Sequence, residues 1–228
     1  MRVRYLVAAT LAALVSGPAW AATITPGFTF AVASAGGTPA TGNHYHSNTG
    51  GSFGNPAGKA EVGGLGSEGI RGLSEYNLTA LTLAPSAFVT FDVFRLGGLF
   101  GQSAYQGNIT VTAYQGNNLE DISDYQAPSV GTVGSFSTVG LTTGDVLSFD
   151  ITSIFNAAVT ANWSSLGIRL AVLGTTANAI TFDDFRLTTD SQSTVAQTPI
   201  PGALPLFASA LGLGGFFGYR RKRQAATA

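Results

Sequence analysis

Apolar and polar residues alternate with a period of two along four stretches in the middle of the chain. This alternation is typical of β-strands that bury one face. Gly- and Asn-rich turns separate the stretches, so the pattern predicts an all-β fold, a β-sandwich or jelly roll of two sheets packed face to face. The apolar positions are Val89, Phe91 and Val93; Ile109, Val111 and Ala113; Leu147, Phe149 and Ile151; and Ile168, Leu170 and Val172.

Three other segments interrupt this pattern. Residues 152–161 predict one short helix that buries Ile154, Phe155 and Ala158, with Thr152 or Ser153 as its N-cap. Residues 35–66 are rich in Gly, Ser, Thr and Asn, which predicts a long surface loop or a loosely paired edge. The polar stretch from Thr188 to Thr198 predicts a linker, which places the β-domain at residues 22–190 and the linker at 191–197.

The two ends of the chain carry apolar runs of different lengths. Arg2 and Arg4 precede about 11 apolar residues, and the small residues Ala19 and Ala21 follow, which predicts a signal peptide over residues 1–21. An uncleaved N-terminal anchor would need a longer run. Near the other end, residues 202–219 reach roughly 27 Å as a helix, enough for a single transmembrane helix. A basic cluster that would stay in the cytoplasm follows, at Arg220, Arg221, Lys222 and Arg223.

The residues before the apolar run complete a three-part C-terminal signal over residues 198–228. In order they are Thr198, Pro199, Ile200, Pro201 and Gly202. A proline-containing motif, one apolar helix and an Arg cluster resemble the PEP-CTERM sorting signal, and this motif is closer to its Val-Pro-Leu-Pro-Ala variant. The resemblance implies a Gram-negative exported protein, held in the inner membrane as a single-pass precursor. It further implies processing by an exosortase and delivery to the cell surface or the extracellular, biofilm matrix. The alternative is an ordinary anchor that is never removed.

Charge and cysteine content exclude several functions. Six of the 11 basic residues lie at the two ends, whereas all 12 acidic residues lie between Glu61 and Asp190. The middle of the chain is therefore acidic and has no basic stripe for phosphates, which argues against a nucleic-acid partner. The chain has no cysteine, which excludes disulfides, thiol catalysis and zinc–thiolate sites.

Two segments of the middle resemble DNRLRE-type β-sandwich modules. One begins at Gly69-Ile70-Arg71-Gly72-Leu73, and the other runs from Leu147-Ser148-Phe149-Asp150 to Leu166-Gly167-Ile168-Arg169-Leu170. The motif that names those modules is absent here. The resemblance implies a jelly-roll fold of a kind found in secreted and surface proteins, some of them bound to polysaccharide.

Acidic residues supply the candidate metal ligands. Asp183 and Asp184 interrupt an alternating strand, and the alternation resumes out of phase, which predicts a β-bulge. Two adjacent carboxylates there could bind a structural calcium, as could Glu120, Asp121 and Asp124 in a loop. The alternative for both groups is a solvated surface. His44 and His46 could share a metal on one strand face, but no third ligand stands nearby.

Aromatic residues supply the candidate ligand contacts. Tyr105, Tyr114, Tyr125 and Trp163 lie at or near predicted loops and strand ends, where rings could stack on sugars of an exopolysaccharide. The alternative is that these rings cover the core. No catalytic motif stands out, so the sequence favours a non-enzymatic surface or matrix protein, adhesive or glycan-binding, with no required cofactor. A secreted polysaccharide hydrolase or lyase that uses acidic residues is the competing hypothesis.

Overall fold

A computed structural model describes residues 21–35, 38–39, 46–47, 50–51, 56–174 and 176–191. Within these residues the chain forms β-strands, one α-helix and one short 3-10 turn at Ile122–Tyr125. The strands are β1 (Ala21–Pro26), β2 (Phe28–Ala35), β3 (Thr38–Pro39), β4 (His46–Ser47), β5 (Gly50–Gly51), β6 (Ala60–Leu65), β7 (Glu68–Asn77), β8 (Ala87–Arg95), β9 (Asn108–Gly116), β10 (Ser129–Ser137), β11 (Val146–Asp150), β12 (Ser165–Val172) and β13 (Ala179–Ser191), and the helix is α1 (Thr152–Thr160).

The prediction of a mainly β domain with one short helix is confirmed. In β8, residues 87, 89, 91 and 93 are buried and the residues between them are partly or fully exposed. β9 alternates in the same way from Asn108 to Ala113, because Ile109, Val111 and Ala113 face the main core. The strands join in the order β10-β9-β12-β7-β6-β13-β8-β11, and each of these neighbours is antiparallel.

The sheet curls around its main core until its two edge strands approach each other. Phe136 on edge strand β10 and Phe149 on edge strand β11 have ring centroids 5.9 Å apart. Both rings lie against Phe91 of β8, at 6.0 and 5.7 Å. Phe91 also stacks on Phe185 of β13 at 4.7 Å. One aromatic cluster therefore joins strands from both ends of the strand order.

Strand β6 turns the corner between the two halves of the sheet, which corrects the prediction of a loop through residue 66. Gly63 pairs with Ala179 of β13 and also with Ile70 of β7. Its φ is 139°, and a Cβ built there would lie 2.2 Å from the carbonyl oxygen of Asn178. Only glycine fits such a corner. The glycine and alanine residues of β6 gave no alternating pattern, so the sequence did not predict this buried strand. The two-residue strands β3, β4 and β5 fit the predicted loose edge.

Helix α1 lies where the sequence predicts it and buries Phe155 and Ala158. The predicted N-cap is wrong, because the N-cap is Ile151 and its side chain makes no capping hydrogen bond. Asp150 instead accepts hydrogen bonds from the backbone N–H and the hydroxyl of Thr152, at 2.8 and 2.6 Å. The hydroxyl oxygen of Thr152 also accepts a hydrogen bond of 2.9 Å from Ala87 N. Thr152 therefore ties the helix to β8.

The first and last strands of the domain pair with each other. β1 runs antiparallel to β13, from Ala21 opposite Ser191 to Pro26 opposite Arg186. Residues 188–191 thus belong to a strand, which corrects the predicted start of the linker. Among the described residues, no helix has the length and apolar character needed to span a bilayer. The predicted transmembrane helix, the sorting motif with its basic cluster, and all of the predicted signal peptide but Ala21 lie outside those residues.

Candidate functional site

The bulge predicted at the two adjacent aspartates is confirmed. Between Asp183 and Arg186, β13 advances three residues while β8 advances two, from Asp92 to Thr90. Asp184 is the extra residue, and its φ of 48° is left-handed. Asp tolerates this conformation better than most residues do. The bulge also exposes the Asp184 side chain, whereas Phe182 and Phe185, on either side of the two aspartates, are buried.

The bulge borders a polar pocket of about 370 Å³. Its wall includes Lys59, Asp184 and Arg186. Lys59 Nζ lies 2.6 Å from Asp183 Oδ2 and 4.0 Å from the centre of the Phe94 ring. The carboxylate of Asp183 is therefore neutralised by a lysine, while Asp184 faces the pocket. Arg186 Nη2 in turn lies 2.5 Å from Asp92 Oδ1, so both basic residues of this pocket are paired with carboxylates.

The predicted calcium loop forms a 3-10 turn whose two aspartates cap each other. Asp121 Oδ1 accepts a hydrogen bond of 2.7 Å from Ser123 N, and Asp124 Oδ2 accepts one of 3.2 Å from Asp121 N. This is a capping box with aspartate at both positions. Hydrogen bonds from Ser123 and Asn117 lower the pKa of Asp121. Glu120 is partly exposed.

No group of three or more His, Asp or Glu side chains suited to hold a metal occurs among the described residues. His44 lies outside them, and His46 is described only as part of β4. The calcium hypothesis for both acidic groups stays a prediction.

Residues 117–128, the covering segment, lie over the outer face of β2, β7, β9 and β12. Its 3-10 turn contacts β2 and β7, where Phe30, Val32 and Leu73 form a second apolar core with Tyr114 and Tyr125. Tyr114 is 0% exposed and Tyr125 is 7% exposed. Two of the four predicted ligand rings are thus covered by protein and have no face open to a ligand.

Beneath the covering segment lies a buried group of charged and polar residues that we call the Glu75 cluster. It consists of Glu75, Tyr114, Asp124 and Arg169, each at most 8% exposed. Glu75 Oε2 accepts hydrogen bonds from Asn117 N at 3.0 Å, Asn118 N at 2.8 Å and Ser165 Oγ at 2.8 Å. Arg169 Nη1 donates to the carbonyl oxygens of Asp124, Tyr125 and Ala127.

These bonds bind the covering segment to the sheet at both of its ends. Glu75 holds the backbone where the segment begins, and Arg169 holds it where the segment ends. Arg71 reinforces the second end, because its Nη1 donates to the carbonyl oxygen of Tyr125 and its guanidinium lies 4.1 Å from the centre of the Tyr125 ring. The Glu75 cluster therefore fastens the covering segment to the sheet through buried charged side chains.

Burial shifts the titration of the cluster. Burial, and after it the negative charge of Glu75, raises the pKa of Asp124 to about 7. The same two causes raise the pKa of the Tyr114 hydroxyl, while burial and the nearby Arg71 lower the pKa of Arg169. Among the described residues, neither Glu75 Oε1 nor the Tyr114 hydroxyl makes a hydrogen bond of good geometry. The raised pKa therefore favours a neutral Asp124 below about pH 7.

Sequence reasoning did not find the Glu75 cluster. Glu75 lies on β7, which is buried on both faces, so no alternation marks its side. One feature of the sequence could have indicated it. Arg71, Leu73 and Glu75 share one strand face, and a strand face that carries both charged residues and leucine is favourable only when other polar groups cover it. Glu61 is a second buried carboxylate of this kind, and it accepts a hydrogen bond of 2.6 Å from Gln102 Nε2.

The other two predicted ligand rings are partly exposed. Tyr105 packs against the main core, and its hydroxyl donates a hydrogen bond of 3.3 Å to the carbonyl oxygen of Asn108. Trp163 lines a pocket of about 340 Å³, here called the Trp163 pocket, at the end of α1. Its other lining residues are Leu78, Thr79, Leu81, Val159, Asn162 and Ser164. Trp163 therefore differs from the three tyrosines in that it lines a pocket at the end of α1.

Comparison of the sequence with models of known protein families finds no match, and no curated protein matches it either.

Proposed function

We propose that this chain is an exported, non-enzymatic surface or matrix protein, delivered by its C-terminal sorting signal. In this proposal the precursor is inserted in the inner membrane through residues 202–219, and an exosortase cuts it near Pro199-Ile200-Pro201. The mature product is a β-domain of jelly-roll type that binds an exopolysaccharide or another component of the matrix.

The proposed delivery by a C-terminal signal is supported by the position at which the core of the described domain ends. The last residue of its main core cluster is Leu187, and the last strand ends at Ser191. The motif begins at Thr198, a few residues later. Because the core clusters draw on residues 30–187, removing everything after the motif would leave them intact. This arrangement suits a cargo domain that a processing peptidase releases.

The jelly-roll assignment is supported by the antiparallel strand order and by the corner at Gly63. A strand that pairs with both halves of a folded sheet is a device that packed β-layers use at their corners. The contact of Phe91 with Phe136 supports facing layers, because β8 and β10 are far apart in the strand order.

A binding role is supported over catalysis by the Trp163 pocket. None of the seven residues that line this pocket carries a titratable side chain. A hydrolase or lyase needs an acid and a base beside its substrate, whereas an aromatic ring with a polar rim suits recognition. Of the two buried carboxyl groups in the Glu75 cluster, neither lines this pocket.

The delivery proposal is tested by expressing the full chain in cells with and without the matching exosortase. We expect the exported protein to lose its C-terminal segment only where the exosortase is present, which intact mass measurement would detect. A product that still ends at Ala228 in both strains would overturn the sorting proposal. Incubating the exported protein with polysaccharides tests the other part, because release of shorter products would favour the enzyme hypothesis.

A further inference from the structure

The Trp163 pocket is built on backbone that is fixed by hydrogen bonds. Asn162 has a φ of 55°, which ends α1 and turns the chain. Asn162 N and Trp163 N donate to the carbonyl oxygens of Val159 and Ala158, each at 3.0 Å. Ser164 O accepts from Leu78 N at 3.0 Å and from Asn118 Nδ2 at 2.9 Å. Preorganised walls lower the entropic cost of binding.

The lining of this pocket is divided into an apolar part and a polar part. Leu78, Leu81 and Val159 join Trp163 as the apolar part, and all four belong to or pack against the main core. Thr79, Asn162 and Ser164 are exposed. They offer hydroxyl and amide groups, which both donate and accept hydrogen bonds. A ligand that fits must therefore have an apolar face and a rim of hydrogen-bonding groups.

Charge and size narrow the class of ligand. The lining carries no ionisable group, so a charged ligand would lose hydration without gaining an ion pair. The volume of about 340 Å³ lies at the small end of the range of about 300–1,000 Å³ for ligand pockets. The pocket thus suits one small ring rather than a long acyl chain or a folded partner.

We propose that the Trp163 pocket binds one sugar ring of a neutral saccharide, with the apolar C–H face of the ring against the indole. In this proposal the side chains of Thr79, Asn162 and Ser164, at the rim of the pocket, form hydrogen bonds with the hydroxyl groups of the sugar. This inference rests on the proposed binding function and specifies its site and ligand class. It leaves the pocket at the bulge, with its cations and Asp184, outside the saccharide site.

The test uses tryptophan fluorescence of the full chain. The chain has two tryptophans, Trp20 and Trp163, so Trp20→Phe leaves Trp163 as the sole indole. The probes are cello-, malto- and xylo-oligosaccharides as neutral ligands and oligogalacturonate as an acidic one. We expect a neutral probe to change the Trp163 emission saturably, with a matching Kd from calorimetry on the unmodified chain, and no saturable response to oligogalacturonate.

Variants on the pocket and outside it complete the test. Trp163→Ala should weaken binding about tenfold or more, because the stacking contact is lost. Thr79→Val removes a rim hydroxyl at an exposed position and should weaken binding a few-fold without unfolding the domain. Phe88→Ala, an exposed ring outside the pocket that is 37% exposed, should leave Kd unchanged.

Three results would overturn the proposal. They are no saturable response to any neutral probe, binding that Trp163→Ala and Thr79→Val leave unchanged, or preference for the acidic probe. In the second case saccharide binding survives elsewhere on the domain, so the pocket assignment fails while the proposed binding function stands. Processing by the exosortase is measured independently and does not depend on any of these results.

Discussion

Tyr114 on β9 lies directly opposite Gly167 on β12, and its ring occupies the space where a side chain at position 167 would begin. A Cβ built on Gly167 would stand 2.1 Å from Tyr114 Cζ. The ring is fully buried and belongs to the second apolar core, so it has no free space into which it can move. The glycine and the tyrosine are therefore one packing unit under the covering segment.

Gly167→Ala should destabilise the domain by about 1–3 kcal/mol, because overpacking forces buried side chains off their preferred rotamers. Urea denaturation followed by circular dichroism would measure the change. Gly131→Ala is the matched control, since its Cβ would meet only the flexible end of Ile154, at 3.3 Å. Equal stability of both variants would contradict the packing described here.

Stability should fall as the pH rises from about 4 to about 7, because of Asp124. Its pKa is raised to about 7 in the folded state and is near 4 in an unfolded chain. Between these values the folded domain holds a proton that the unfolded chain lacks. The stabilisation is complete below the unfolded pKa and is lost as the pH rises through the folded pKa, about 2–4 kcal/mol in all.

Asp124→Asn should remove this part of the pH dependence, because the amide stays neutral like the protonated acid. The difference in unfolding free energy between wild type and variant isolates Asp124 from the histidines. Asp184→Asn is the matched control for the loss of one carboxylate, at an exposed position whose conformation asparagine also adopts. Parallel profiles for wild type and Asp124→Asn would refute the raised pKa of Asp124 in the folded domain.

Asp184→Gly should leave the free energy of unfolding unchanged or raise it by at most about 1 kcal/mol, because glycine adopts a φ of 48° without strain. Asp183→Gly should do the opposite, since Lys59 would lose its partner at 2.6 Å. Thermal unfolding of both variants measures the contrast. If Asp183→Gly is the more stable of the two, the bulge has been assigned to the wrong aspartate.

Replacing Arg220, Arg221, Lys222 and Arg223 with glutamine should impair membrane retention and exosortase processing together. Each basic residue costs about 2.5–3.5 kcal/mol at the bilayer centre, so the cluster stops translocation. Fractionation of cells and mass measurement of the exported protein would detect both effects. Replacing Arg95 and Arg186 within the β-domain should change neither, and normal retention without the C-terminal cluster would show that it is not the stop signal.

The strands that the sequence predicted correctly are those with one face on the main core. In β8, Phe91 and its neighbours alternate with polar residues, because only one side of the strand is buried. The bulge at Asp184 could also be predicted from the sequence, because one extra residue in a strand shifts the alternation of apolar positions by one. Local side-chain pattern carries both kinds of information.

What the sequence did not predict depends on contacts between distant residues. β6 has the sequence Ala-Glu-Val-Gly-Gly-Leu, which shows no alternation of apolar and polar residues, and its position is set by Gly63 fitting between β7 and β13. Glu75 is surrounded by backbone from residues 117 and 118 and by Ser165, about 40 and 90 residues away along the chain. Trp163 and Tyr125 were both predicted to lie at or near loops, but Tyr125 packs into the second apolar core whereas Trp163 lines a pocket.

The pairing of β1 with β13 sets the order in which the domain can finish folding. A chain that is exported from its N-terminus presents β13 last, yet β1, β6 and β8 all pair with it. In the proposed export, these three strands would each lack one pairing partner until Ser191 had crossed the membrane. The final strand is thus delivered about 10 residues ahead of the predicted membrane segment, a stretch that reaches roughly 33 Å when extended. Under the proposed delivery, completion of the fold and arrest in the bilayer would therefore be nearly simultaneous events.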